Sequence, residues 1–89
     1  MALSLPTSLD TPAATPLAQS LRDTIAMGGA ISLDGAEVVR VGQACLQVLL
    51  SARQAAIGAG LSFTIERPSD ELRAAGSLAG LDTLFAPAA

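Results

Sequence analysis

The sequence predicts a small α/β domain in which a mostly parallel sheet of about three or four strands is covered by three or four helices. Apolar segments of strand length alternate with apolar segments of helical length, and glycines and prolines separate them. Because a strand–helix–strand order needs crossover connections, neighbouring strands are expected to be parallel. The 89 residues support one domain, residues 1–89, with its core at about 3–85.

Three segments have the pattern of strands. Residues 2–6, ALSLP, alternate apolar and polar side chains before a proline. Residues 30–35, AISLDG, place Ile31 and Leu33 on one face, and residues 61–66, LSFTIE, alternate strictly. These segments account for three strands of the predicted sheet of about three or four.

The first and third helices are predicted from their ends. Residues 10–29 form the first, with Thr11 or Thr15 as the cap, since a proline follows each threonine. Residues 67–76 open the third, with Ser69 as the cap and two acids next to it. LAGLDTLF is expected to add a short last turn. The apolar stripe of the first helix is predicted to comprise Leu17, Leu21, Ile25, Ala14 and Ala18.

The second helix is predicted over about residues 43–58, after a connection in residues 36–43. Gln43, Gln47 and Ser51 recur every four residues and are expected to form its solvent edge. Its core side is predicted to contain Cys45, Val48, Leu49, Ala52 and Ala56, widened by Leu46, Leu50 and Ile57.

Composition argues against several kinds of function. The net charge is −3, there is no lysine, and the arginines are scattered singly, so the chain lacks the basic patch that nucleic acid requires. Without histidine and with one cysteine, neither a zinc site nor a usual general base is available, and we expect no cofactor and no enzyme activity. The sequence has neither a signal peptide nor an apolar run of membrane-spanning length, which predicts a cytoplasmic protein.

Two groups of reactive side chains have alternative interpretations. Cys45 lies where a helix N-terminus favours a nucleophilic thiolate, but its apolar neighbours favour a small buried side chain. Asp34 and Glu37 are either paired carboxylates or acids that structure a loop, and the second reading is favoured. A deep pocket lined by these two acids and Arg40 would instead indicate a ligand-binding or catalytic domain.

Placed in this order, residues 3–85 resemble the STAS domain, the fold of sulfate transporters and anti-sigma-factor antagonists. Members typically have an aspartate turn after a strand, a short motif that opens the next helix, a later Pro-Ser pair and a Gly-Leu ending. The corresponding places here read LDG at 33–35, GQACL at 42–46, RPS at 67–69 and AGLDTLF at 79–85. The family usually begins with two strands, whereas only ALSLP is expected here, which leaves an exposed sheet edge.

The resemblance implies a non-enzymatic regulator of bacterial signalling that docks on a protein partner. In anti-sigma-factor antagonists a kinase phosphorylates the Ser or Thr that opens the second helix, and the added charge breaks docking. This chain has Gln43 and Ala44 there, and Gly42 where the family usually has Asp, so the phosphorylation switch is expected to be lost.

The segment VGQACLQVLLSA, residues 41–52, resembles small STAS proteins of alphaproteobacterial chemotaxis operons, whose proposed partner is the chemotaxis histidine kinase. Alternative partners are an anti-sigma factor, the ATPase of a lipid-transport ABC system, or a second copy bound at the exposed sheet edge. The lipid-transport subunit usually keeps a Thr in the motif, which counts against it. The predicted contact residues are Arg40, Val41, Gly42, Gln43, Ala44, Gln47 and Ser51; the alternative is that this loop only joins strand to helix.

Overall fold

The computed structural model describes residues 3–85, and residues 1–2 and 86–89 of the predicted domain lie outside the described residues. The element order confirms the predicted α/β class. The strands are β1 (Leu3–Ser4), β2 (Ser8–Leu9), β3 (Ile31–Asp34), β4 (Arg40–Val41) and β5 (Phe63–Glu66). The helices are α1 (Thr11–Ala26), α2 (Gln43–Gly58) and α3 (Asp70–Leu78), followed by a 3₁₀ turn at Asp82–Phe85.

The strands form two parallel sheets. The larger sheet has three strands in the order β1-β3-β5, with Leu33 opposite both Leu3 and Ile65. The smaller sheet contains only β2 and β4, with Ser8 opposite Arg40. The predicted parallel pairing is confirmed, and β1 and β5 are the edges of the larger sheet. Binding of a second copy of the chain at such an edge remains a prediction.

The short strands β2 and β4 correct two expectations. Residues 36–43 are more than a connection, because they contain β4, and ALSLP is not the only strand before α1, because β2 follows it. Each of these strands has two residues, too few to produce an alternation of apolar and polar side chains. Their pairing brings the chain before α1 next to the chain before α2.

The helices lie within three residues of their predicted bounds: α1 ends at Ala26 rather than at residue 29, α3 continues to Leu78 rather than to residue 76, and the cap differs at the start of α1. There the N-cap is Asp10, so the expected cap at Thr11 or Thr15 is wrong. Pro12 then falls at the second helical position, where its missing N–H costs nothing, and Pro16 lies inside the helix. α2 spans the predicted residues, and Ser69 caps α3 as expected.

One hydrophobic cluster joins the helices to both sheets, and α1 packs against α2. Cys45, Leu46 and Leu49 of α2 are buried as predicted, whereas Ile57 is 47% exposed and does not widen the core stripe. Ile57 lies in the last turn of α2, where neighbouring Ala56 takes the buried side of the helix. The buried members are Leu5, Leu9, Leu17, Leu21, Ile31, Leu33, Val38, Cys45, Leu46, Leu49, Ala52, Ala56, Phe63, Ile65, Leu72 and Leu84.

Candidate docking surface

The seven predicted contact residues lie on β4, the residue that follows it and the first half of α2. We call this set the docking surface: Arg40, Val41, Gly42, Gln43, Ala44, Gln47 and Ser51. Five of the seven are exposed, and only Val41 and Gly42 are half-buried. The exposed positions of α2 include the polar line at four-residue spacing that the sequence predicted.

The backbone of the docking surface is held by the segment before α1. The Val39 and Arg40 N–H groups donate to the Thr7 carbonyl oxygen at 2.8 and 3.1 Å. The Gly42 N–H donates to the Leu9 carbonyl oxygen at 2.7 Å. Thr7 and Leu9 therefore fix this surface, although neither was predicted to contribute, because a main-chain acceptor leaves no sequence signal.

The N-terminus of α2 has no cap from a side chain. Its N-cap is Gly42, in an extended conformation with φ −107°, and the first turn contains no acidic residue. The first N–H groups of a helix have no acceptor within the helix. With a glycine as the N-cap, these groups depend on water or on a bound partner.

Cys45 lies on the inner side of the first α2 turn and is fully buried. Its Sγ donates to the Asp10 carbonyl oxygen at 3.2 Å. Burial raises the pKa of the Cys45 thiol, and the nearby Asp10 charge raises this pKa further. The side chain is therefore a neutral thiol of the core, which agrees with the favoured interpretation of the sequence.

Asp34 structures the loop after β3 and is not paired with Glu37. One Asp34 oxygen accepts the Ala36 N–H at 3.0 Å, and the other accepts a charged hydrogen bond from Arg67. The Ala36 hydrogen bond, and after it the Arg67 guanidinium, lower the pKa of Asp34. Arg67 was not predicted to have a role, since it lies 33 positions away in sequence. It reaches Asp34 from a left-handed backbone conformation, φ 48°.

The structure has a groove of about 400 Å³ between α1 and α2. Gln47 and Ser51 line it, but Asp34, Glu37 and Arg40 do not, so this groove is not the pocket that would indicate the alternative ligand site. Glu37 and Arg40 are exposed instead. Among the helices of residues 3–85, none combines the length and hydropathy of a membrane span.

Comparison with known proteins gives one match. The family model described as "Mlab, STAS domain" matches residues 1–86, nearly the whole chain. No curated protein and no solved structure shows a significant match.

Proposed function

Since the chain belongs to the STAS-domain family, we propose that it is a regulatory protein that acts by binding another protein through the docking surface. A regulatory or interaction role is general to STAS domains, which are not usually enzymes. The assignment of the contact to residues 40–51 is our proposal. It rests on the exposed side chains that this segment presents from a fixed backbone.

The exposure pattern is the observation that carries the proposal. Gln43, Ala44 and Gln47 are exposed at the start of α2, while Cys45 in the same turn is fully buried. The buried side anchors the turn in the core, and the hydrogen bonds to Thr7 and Leu9 fix the preceding backbone. A surface ordered before binding loses less conformational entropy when a partner binds.

Docking by this chain is proposed to be independent of phosphorylation at the start of α2. Gln43 and Ala44 have no hydroxyl, and Ser51 lies about two turns further along the helix. A kinase therefore finds no hydroxyl to phosphorylate at the position that is phosphorylated in anti-sigma-factor antagonists. We propose a partner that stays bound until another signal acts, rather than one released by phosphate.

The partner we propose is a chemotaxis histidine kinase, because the segment VGQACLQVLLSA resembles small STAS proteins of chemotaxis operons. An anti-sigma factor and the ATPase of a lipid-transport ABC system are the alternatives, and the same surface serves in each case. Neighbouring genes distinguish the three, because each partner is expected to be encoded close to its STAS protein. A chemotaxis kinase gene beside this one supports the first, and lipid-transport permease genes support the ATPase.

Gln43→Glu tests the docking surface. A negative charge at the positive end of α2 slightly favours the fold, so the melting temperature should stay equal or rise. At an interface the same charge loses water without gaining a partner, and we expect binding at least about tenfold weaker, equivalent to ~1.4 kcal/mol. Isothermal titration against the purified histidine kinase of the same organism measures this effect.

Gln54→Glu is the matched control, because it places the same charge on an exposed position about three turns further along α2. It should bind as the wild type does. Equal affinity for wild type and Gln43→Glu would place the contact elsewhere. If the wild type does not bind the kinase, the same titration with the anti-sigma factor and with the ATPase identifies the partner class.

A further inference from the structure

The groove between α1 and α2 has an apolar floor and a polar rim. Leu21 and Ala52 form its floor and are buried, and half-buried Val48 lies beside them. Arg22, Gln47 and Ser51 line its rim and are exposed. An apolar cleft of about 300–1,000 Å³ with a few polar groups is typical of small-molecule sites, and this groove has about 400 Å³.

The charge at the rim is positive. Within residues 3–85, no described carboxylate lies within ion-pairing distance of Arg22. Arg22 donates instead to the neutral Gln19 side chain at 3.1 Å, and Asp23, the only acid of α1, accepts from Gln19 at 2.9 Å. α2 contains no acidic residue. In a chain of net charge −3, this helix pair is therefore a place that favours an anion.

We propose that the groove binds an amphipathic monocarboxylate with an unbranched alkyl chain. The alkyl chain would lie on Leu21, Val48 and Ala52, where it removes apolar surface from water. The carboxylate would accept hydrogen bonds from the Arg22 guanidinium at the rim, with Gln47 and Ser51 as further donors. The site shares Gln47 and Ser51 with the docking surface, whereas Arg22 and the apolar floor lie outside that surface, so variants of Arg22 test the groove alone.

Titration with sodium octanoate, followed by the amide resonances of ¹⁵N-labelled protein, tests the site. Shifts are expected in residues 18–25 and 47–55. Octanoate should bind at least about threefold more tightly than 1-octanol, the effect of a solvent-accessible ion pair, and octylammonium should bind most weakly. Equal affinity for octanoate and 1-octanol, or shifts confined to other residues, would overturn the proposal.

Two variants locate the ligand. Arg22→Gln should reduce the octanoate affinity to that of 1-octanol, whereas Arg73→Gln, an exposed arginine of α3, should leave it unchanged. Ala55→Phe places a ring at the groove rim and should abolish binding while the protein stays folded, which thermal melting confirms. Normal octanoate binding by folded Ala55→Phe, or by Arg22→Gln, would show that the ligand lies elsewhere.

Discussion

The N-termini of α2 and α3 are built differently. α3 begins with Ser69, whose Oγ accepts the Leu72 N–H at 3.1 Å, and Asp70 and Glu71 occupy its first turn. α2 begins with Gly42, has no side-chain cap and has no acid in its first turn. The residues of α3 therefore stabilise their own helix end, whereas no N-cap side chain does so for α2.

The surroundings of the two helix N-termini also differ, since the start of α3 is packed against its neighbours and the start of α2 is exposed. The Ser69 N–H donates to the Gly35 carbonyl oxygen at 3.0 Å, and fully buried Leu72 packs in the first α3 turn. At α2, backbone hydrogen bonds hold Gly42 while Gln43 and Ala44 remain exposed. We propose that α3 serves stability and that the start of α2 serves recognition, and four measurements test this division.

Gly35→Ala is expected to have the largest effect because it disturbs the packed α3 end. A Cβ at Gly35 would lie 2.8 Å from Cδ2 of Leu72 and 3.3 Å from Cα of Pro68. Overpacking of this kind costs about 1–3 kcal/mol in the free energy of unfolding, measured by urea denaturation. Gly58→Ala is the control, since nothing lies within 4 Å of its Cβ and alanine favours a helix. Equal stability of Gly35→Ala and wild type would contradict the rigid packing of α3.

Ser69→Ala removes the α3 cap and should lower the free energy of unfolding by about 1 kcal/mol. The reciprocal change, Gly42→Ser, supplies a cap to α2 and should raise it by only a few tenths of a kcal/mol. Space exists for this serine, because a Cβ at Gly42 would meet the Leu9 carbonyl oxygen at 3.4 Å. Urea denaturation measures both. A loss of stability in Gly42→Ser would mean that the glycine is required by local packing.

Cys45→Ala probes the buried side of the first α2 turn. It removes a buried sulfur and its hydrogen bond to Asp10, so stability should fall on the order of 1 kcal/mol while partner binding is retained. In the wild type, burial and the raised pKa should make the thiol slow to react with a disulfide reagent at neutral pH. Fast labelling of the native protein would show that Cys45 faces outward with Gln43.

Asp34 gives the smallest expected effect, because its partner Arg67 is 73% exposed and water screens the pair. The folded-state pKa of Asp34 lies below the ordinary value of 3.8. Its contribution to stability is therefore complete above pH 3.8 and is lost as the pH falls through the folded-state pKa. Melting temperatures of Asp34→Asn should depend less on pH in this acid range than those of wild type. An unchanged profile for Asp34→Asn would contradict the hydrogen bonds of Asp34 to Ala36 and Arg67.

The helices and the four-residue strands were predictable, as was β1, whose flanking residues extend its alternation to ALSLP, but two short strands were not. The 16 residues of α2 were recognisable because each turn repeats an apolar position, which gives a pattern long enough to fix both ends. β2 and β4 were missed, since two residues show no period and their pairing depends on tertiary contacts. The cap of α1 was misplaced to Thr11 or Thr15 because Asp10, Thr11 and Thr15 are all suitable caps in sequence.

The docking surface was only partly accessible to sequence reasoning. The solvent edge formed by Gln43, Gln47 and Ser51 followed from helical spacing alone. Outside this surface, the pairing of Arg67 with Asp34 could not be predicted from the sequence. A contact between residues far apart in the chain, made from a backbone with φ 48°, leaves no local pattern. The groove at Arg22 likewise depends on how α1 packs against α2, which only the folded chain determines.

The backbone support from Thr7 and Leu9 has a consequence for mutational mapping of the docking surface. Thr7 and Leu9 act there through carbonyl oxygens, which every amino acid carries. Alanine scanning would thus report Thr7 as silent, and would report Leu9 only through its buried side chain. A proline at position 39 or 42 removes the donor N–H instead and would reveal the support. A scan of side chains alone would assign the whole surface to residues 40–51 and overlook the segment that shapes it.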